Sequence, residues 1–348
     1  MGKPYRVAAA NFAPVFNDAA GTVDKACALI GEAASRGIQL LAFSELFISG
    51  FPHWCMLVAP GESDDLYRSL YLQAVAVEGV EIKRVREAAR RHGVIVSIGF
   101  SEISPVNRGS IWNSNVLIDT DGSVLSHHRK LVPTLAEKLI FAPGDGFGLR
   151  VCETGVGRVG VLICGENTNP LARYTLIAQG EQVHISSYLS VVPAARHGDE
   201  AYDLAEAIRI RAACHSFEGK LFNVVASAPF DDSARDGLAS LGRESLALLD
   251  SGARAVSLVV NPNGRVISNA LGRDEEGFVV AEIDSSETLL PKRMHDVAGH
   301  YNRFDVFNLT VNMRRNDPIH IVGDQESIKG RRCFSETLDE RQLEDEGE

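Results

Sequence analysis

Long apolar runs are missing from this sequence: none approaches the roughly 20 residues that a membrane span requires. The start, "MGKPYRVAAANF", also lacks the apolar core and cleavage pattern of a secretory signal. These absences argue against a membrane or exported protein, and the expectation is a cytosolic one. Basic clusters are missing too, beyond scattered pairs such as Arg90-Arg91. The formal net charge is −11, of which "SETLDERQLEDEGE", with seven acids against Arg341, contributes −6, so the body is mildly acidic. Nothing in that balance suits a phosphate backbone, and nucleic acid is not an expected partner. Six cysteines are present (Cys27, Cys55, Cys152, Cys164, Cys214 and Cys333), without a CxxC or Cys-His ligand pattern. Neither a disulfide framework nor a zinc site is favoured, and reduced thiols are expected. No linker rich in Pro, Gly or Ser occurs before about residue 322, which gives one domain over 1–322 and a charged tail over 323–348.

What is present is a 348-residue chain with 45% hydrophobic residues, enough for a large core. "YRVAAANF" reads as a strand, and Val23, Cys27, Ile30 and Ala34 keep helical spacing until Gly37 closes the helix. "IQLLAFSEL" and "VIVSIGFSE" are almost wholly apolar, as strands buried on both faces are. Between them lies a helical zone from about Asp64 to His92, with Ile82, Val85 and Ala89 on one stripe and Gly93 as its stop. Hairpin signals occur at Asp121-Gly122, in "VCETGVGRVGVLI" and in "AVSLVVNPNGRVISNA". Helix "PLARYTLIAQG", strand "QVHISSYL", a long helix near Glu200 to Phe217 and strand "LFNVVASAP" follow. The class is α/β with mixed sheets. Two packed sheets with helices outside fit the element count, and so does a doubly wound single sheet.

Three functional types fall at three strand ends. "RVGVLI" runs into Cys164; Gly165 allows an unusual backbone angle or a close approach, and Asn169-Pro170 is a good helix start. A thiol between a strand end and a helix start is placed where N–H groups and helix dipoles stabilise thiolate and oxyanion alike. Such a nucleophile needs a base and a group that stabilises the developing negative charge. Glu45, at the end of "LLAFSE", and Lys130, at the end of "SVLSHHRK", offer both. Taken singly, each of the three has an ordinary reading as core thiol or surface charge.

Together they carry a resemblance to the nitrilase, or carbon–nitrogen hydrolase, superfamily. "FSELFISGFP" resembles its glutamate motif, "HRKLVPTLAEKLIFAPGDG" its lysine motif and "LICGENTNPLARY" its cysteine motif, in the family's order. "GHYNRFDVFNLTVN" resembles the C-terminal segment of true nitrilases. The resemblance spans roughly residues 5 to 315. It implies a four-layer αββα sandwich, Glu45 as general base, Lys130 as stabiliser of the developing anion and Cys164 as nucleophile. Glu137, seven residues beyond Lys130, matches the family's second glutamate, which holds the lysine and helps position water. Glu166, two residues after the cysteine, is implied to organise the site. No cofactor is implied, and self-association is, as a dimer or a larger, spiral assembly, with the long helix and the segment around His300 to Asn312 as contact elements.

The implied reaction is hydrolysis of a nitrile to a carboxylic acid and ammonia through a thioimidate and a thioester on Cys164. An amide would enter the same pathway one step later. Amidase activity, hydration that releases an amide, and a catalytically silent binding protein are the alternatives; the nitrilase-like segments outside the catalytic residues favour the nitrile. A thiol oxidoreductase would want a resolving cysteine near Cys164 in sequence, and there is none. Two departures stand out: Ser44 where the family often has proline, and Gly165 where nitrilases commonly carry tryptophan. The second is expected to leave room beside the nucleophile. His53 and Trp54 in "FISGFPHW", Asn113 and Tyr188 are further candidates for the substrate pocket. Tyr188 ends the strand next after Cys164 and is expected beside it. Adjacent His127 and His128 point to opposite faces of a strand, which argues against a shared metal. Glu102 and His184 read as hydrogen-bonded structural residues.

Overall fold

The computed structural model describes residues 4–104, 106–107, 109–194 and 202–316. In chain order these form β1 (Tyr5–Asn11), α1 (Ala19–Ser35), β2 (Leu40–Ala42), α2 (Asp64–Leu72), α3 (Val80–His92), β3 (Ile95–Ile103), β4 (Ile111–Ile118) and β5 (Val124–Arg129). Then come β6 (Cys152–Thr154), β7 (Gly157–Ile163), α4 (Pro170–Ala178), β8 (Val183–Ser187), β9 (Val191–Val192), α5 (Leu204–Gly219) and β10 (Phe222–Ala226). The remainder is α6 (Asp232–Gly237), α7 (Gly242–Asp250), β11 (Ala253–Arg254), β12 (Leu258–Val260), β13 (Gly277–Ile283) and α8 (Leu289–Met294). The compact unit runs to Arg315. The boundary expected near residue 322, the charged tail and Cys333 lie outside the described residues, as does Glu200.

A six-stranded sheet has the order β13-β1-β2-β3-β4-β5 and a five-stranded sheet the order β12-β10-β8-β7-β6, each mixing parallel and antiparallel pairs. The alternation of side chains along each strand decides what lies between them. Val7, Ala9, Leu40 and Ala42 of the first sheet pack against Val161, Ile185, Phe222 and Val224 of the second. The opposite face of the first sheet, with Ala8, Leu41, Val96 and Ile98, buries α1 and α3 through Val23, Ile30, Val85 and Ala89. Ile163 and Val225 of the second sheet turn outward to Leu204, Ile208 and Ala212 of α5, and Leu162 to Leu176 of α4. The layers are therefore αββα, and the single-sheet alternative is set aside. Burial at ~25 cal/mol per Å2 makes this apolar cluster between the sheets the main adhesive of the two halves.

Local differences from the sequence expectations have physical reasons. The helical zone splits into α2 and α3, because Val75 leaves the helix to exchange backbone hydrogen bonds with Ser101 and Ile103 at the end of β3. β2 is only three residues long. Beyond it the chain bends at Leu46, whose φ is +51°, so Glu45 sits in a turn. The third hairpin reduces to one bridge between Val260 and Val266. Among the described residues no helix is long and apolar enough to cross a membrane.

Candidate active site

Strand β2, parallel to β1 and β3, leads into Glu45, and β7 and β8, a parallel pair of the second sheet, lead into Cys164 and Tyr188, in accordance with the general placement of sites at the carboxyl ends of strands in α/β folds. Glu45 reaches its position because the turn after β2 lies flat on β3. A Cβ on Gly99 would stand 2.6 Å from the Leu46 nitrogen and 2.7 Å from the Ser44 carbonyl oxygen, so only glycine admits the turn there. The Glu45 N–H donates to the Tyr188 carbonyl at 3.2 Å, tying this turn to the second sheet. Lys130 follows β5 and continues its pairing, its N–H donating to the Asn113 carbonyl on β4 at 2.8 Å.

The side chains then meet. Lys130 Nζ donates to Glu45 Oε1 at 2.7 Å and to both Glu137 oxygens, at 2.9 and 2.7 Å. Asn113 Nδ2 donates to the same Glu45 oxygen at 2.8 Å. All four residues are buried. Glu45 Oε2 is left without a partner among these groups, and the Glu45 carboxyl is near enough to Cys164 to act on its thiol. Asn113, expected in the substrate pocket, instead anchors Glu45.

Two carboxylates sharing one ammonium leave a surplus negative charge away from water. Burial pushes Glu137 up, Lys130 pulls it down and Glu45 pushes it up again, with the outcome raised to about 7. For Lys130 burial works against the charge, but the two carboxylates overcome it and hold the ammonium well above its ordinary range. Burial raises the Cys164 thiol well above its ordinary value; Glu45 adds to the rise and Lys130 opposes it. The resting sulfur is therefore a thiol, and a nucleophilic role for it would require a base to take its proton.

Cys164 sits where β7 gives way to a 3-10 turn over Cys164–Thr168, and its φ is +51°. A left-handed cysteine is strained and persists only when its surroundings over-determine it. One restraint is Glu166, buried two residues on. Its Oε1 accepts from the Ile163 N–H at 2.6 Å and contacts His128 Nε2 at 2.6 Å, while Oε2 accepts from the Leu131 N–H at 2.9 Å. Burial would raise this carboxyl, but His128 and the two backbone donors hold it below its ordinary value. Glu166 thereby fastens the Cys164 turn to the segment carrying Lys130.

The unusual backbone angle belongs to Cys164, whereas Gly165 serves the close approach. A Cβ on Gly165 would stand 2.7 Å from Thr134 Oγ1. The expected room beside the nucleophile is thus taken by Thr134, on the loop that carries Glu137. Tyr188 is where the strand order predicted: Ile163 pairs with Ser187, so Cys164 and Tyr188 lie one residue past the same rung. Its hydroxyl is buried without a partner, and burial raises the phenol, Cys164 adding to the effect.

Trp54 lines a cavity of about 200 Å3 with Cys55, Val58, Tyr67, Leu139 and Ile140. Cys55 is pushed up to about 12 by burial and by the nearby Glu137, which locates this cavity next to the lysine cluster. His53 does not line it. The ring packs between Phe51 and Phe230 and contacts Ser190 Oγ at 3.0 Å, and burial lowers it to about 3. His127 and His128 diverge as expected, His127 to Glu102 at 2.8 Å and His128 to Glu166. Glu102 and His184 are buried and hydrogen-bonded. The five described cysteines are free thiols.

Sequence reasoning missed one cluster: Glu181, His184 and His215 are buried together, with ligand-type atoms within 4.8 Å of one another. The signal was available in "EQVH", a glutamate three residues before a histidine.

Comparison with known proteins identifies the family. The model of the carbon-nitrogen hydrolase family matches residues 6–290. A nitrilase from Paraburkholderia phymatum is 36% identical over 314 residues, covering 90% of this chain and 88% of that protein. An arylacetone-specific nitrilase from Alcaligenes faecalis is 31% identical over 328 residues, covering 94% of this chain and 90% of its own. Among solved structures, the C. elegans NitFhit protein superposes with a TM-score of 0.67 at 19% identity, over 91% of this chain and 69% of that one, a likeness of fold. The chain belongs to the carbon–nitrogen hydrolase family, on its nitrilase branch.

Proposed function

We propose that this protein hydrolyses organic nitriles to carboxylic acids and ammonia through covalent intermediates on Cys164. The observation that carries the reading is the buried Lys130, held between Glu45 and Glu137 beside a strained thiol, in a chain whose relatives are called nitrilases. Glu45 accepts the thiol proton as sulfur attacks the nitrile carbon, and returns it to nitrogen, giving a thioimidate. Lys130, a fixed ammonium in a water-poor site, stabilises the negative charge that develops on that nitrogen. Glu137 keeps the ammonium aimed. A water that loses its proton to Glu45 adds to the same carbon, ammonia departs carrying the protons returned to nitrogen, and a thioester remains. A second water, activated in the same way, releases the acid and restores the thiol. The organic group lies against Trp54, Tyr67 and Ile140 in the adjoining cavity.

The reading includes self-association. Leu171 of α4, Ile210 and Phe217 of α5, and Phe304, Val306 and Phe307 in the C-terminal segment are large apolar side chains facing outward. Apolar surface of that extent suits a second copy of the chain.

The test is a panel of matched nitriles and amides with ammonia detection and product masses, run on the parent and on Cys164→Ala. Nitrile turnover to the acid, lost in Cys164→Ala, is expected. Turnover of amides alone, release of amide as the sole product, or turnover that survives Cys164→Ala would overturn it.

A further inference from the structure

Beneath the nucleophile turn lies a chain of buried polar groups that the reaction above does not use. Asn167, His184, Ser186, Glu181, Asn223 and His215 are each at most 2% exposed. Asn167 Nδ2 donates to the Cys164 carbonyl at 3.0 Å and, more weakly, to the Leu162 carbonyl at 3.3 Å. Carbonyls only accept, so the orientation of this amide is settled: Oδ1 faces the other way. There it meets His184 Nε2 at 2.9 Å and Ser186 Oγ at 3.1 Å, and His184 Nε2 must carry the proton. The other ring nitrogen, Nδ1, is 2.6 Å from Glu181 Oε1. His215 Nε2 stands 3.1 Å from Glu181 Oε2.

Gly160 is the second observation. It lies on β7, four residues before the thiol, and a Cβ there would fall 2.1 Å from Glu181 Oε1. A glycine in a buried central strand weakens it and marks a close approach; here what approaches is the Glu181 carboxylate. That carboxyl is held at about 2: burial would raise it, but the two imidazoles at its oxygens lower it further.

We infer that Asn167, oriented by the Glu181–His184 pair, is a positioning residue that holds Cys164 in its left-handed conformation. The inference rests on the reading of Cys164 as nucleophile. Each link from Glu181 through His184 and Asn167 to the Cys164 carbonyl is a hydrogen bond between buried groups, so the orientation of one fixes that of the next. The far end is the carbonyl of the strained residue itself. A metal at Glu181, His184 and His215 is the rival occupant. Around a tetrahedral ion with bonds of ~2.1 Å the ligand atoms stand roughly 3.4 Å apart; the 2.6 Å separation of Oε1 and Nδ1 is that of a shared proton.

Two substitutions at one position separate the links. His184→Gln keeps an amide donor near Nε2 and the bond to Asn167, while His184→Asn keeps one near Nδ1 and loses that bond. The parent and both variants are compared by kcat, KM, melting temperature and the rate at which iodoacetamide alkylates Cys164. His184→Asn is expected to lower kcat and the alkylation rate together, by about 10²-fold for a displacement near 1 Å, with KM little changed and His184→Gln substantially rescued. Asn167→Asp, which replaces the donor by an acceptor, is expected to reproduce the loss and serves if His184→Asn does not fold. Equal losses in both His184 variants that follow melting temperature alone would overturn the inference, as would unchanged alkylation in Asn167→Asp. So would stoichiometric metal in the purified parent that disappears with His184. A parent whose nitrile turnover survives alkylation of Cys164 would instead overturn the nucleophile reading, and with it the premise.

Discussion

Replacing Glu137 by glutamine removes a charge the fold holds at a cost, and the cost has a sign that can be measured. Glu137 is raised from 4.5 to about 7 because burial and Glu45 outweigh the pull of Lys130. The folded state therefore prefers the protonated acid. Its favourable contribution is complete below the unfolded value and is lost as the pH climbs through about 7. At ~1.4 kcal/mol per unit the shift corresponds to about 3 kcal/mol. Glutamine, which does not titrate, escapes that loss. Urea unfolding of parent and Glu137→Gln at about pH 4 and about pH 8 should thus find the variant gaining on the parent by roughly 3 kcal/mol at the higher pH. Catalysis should move the opposite way. Glutamine offers Lys130 one oxygen in place of the two it now contacts, so the ammonium is less well aimed and kcat falls by about 10²-fold. The acid limb of kcat/KM, expected near pH 7 in the parent as the cluster takes up its extra proton, should shift to lower pH because the surplus charge is gone. Parallel stability profiles for the two proteins, or an unmoved acid limb, would refute the shared-charge account of Lys130, Glu45 and Glu137.

Gly165→Ala should push Thr134 off its rotamer, since the new Cβ would lie 2.7 Å from Oγ1. A cost of about 1 kcal/mol and a several-fold fall in kcat/KM are expected, both recovered in Gly165→Ala/Thr134→Ala, as a double-mutant cycle would record. For the apolar surface, light scattering should give the parent a mass of at least two 37.7 kDa chains, and Phe307→Glu a smaller assembly. A monomeric parent would remove that surface from consideration.

Much of the site was legible because its chemistry lies next to strong local signals. Cys164 and Lys130 follow runs whose apolar or hairpin pattern marks them as strands, and the motif order supplied Glu137 and Glu166. Tyr188 could be placed beside Cys164 by the rule that sequential strands are neighbours. What stayed hidden depends on contacts between segments distant in the chain. Nothing local tells that Asn113 holds Glu45, or that Trp54 lines a cavity while its neighbour His53 does not. Gly165 looked like vacant space because Thr134, some thirty residues earlier, is invisible from the cysteine motif. Gly99 and Gly160 are similar: a glycine in a strand announces a close approach without naming what approaches. The split of the helical zone from Asp64 to His92 also came from a tertiary partner, the end of β3, which pairs with Val75.

Glu45 and Cys164, the proposed base and nucleophile, belong to different sheets, joined at their tips by the bond from Glu45 N–H to the Tyr188 carbonyl and by Glu166. The apolar layer between the sheets therefore acts as a calliper. Its thickness, set by residues such as Val161, Ile185 and Leu40, fixes how far sulfur stands from carboxylate. Removing a methyl group from that layer, far from any substrate, would register as a change in turnover through the spacing of the two jaws.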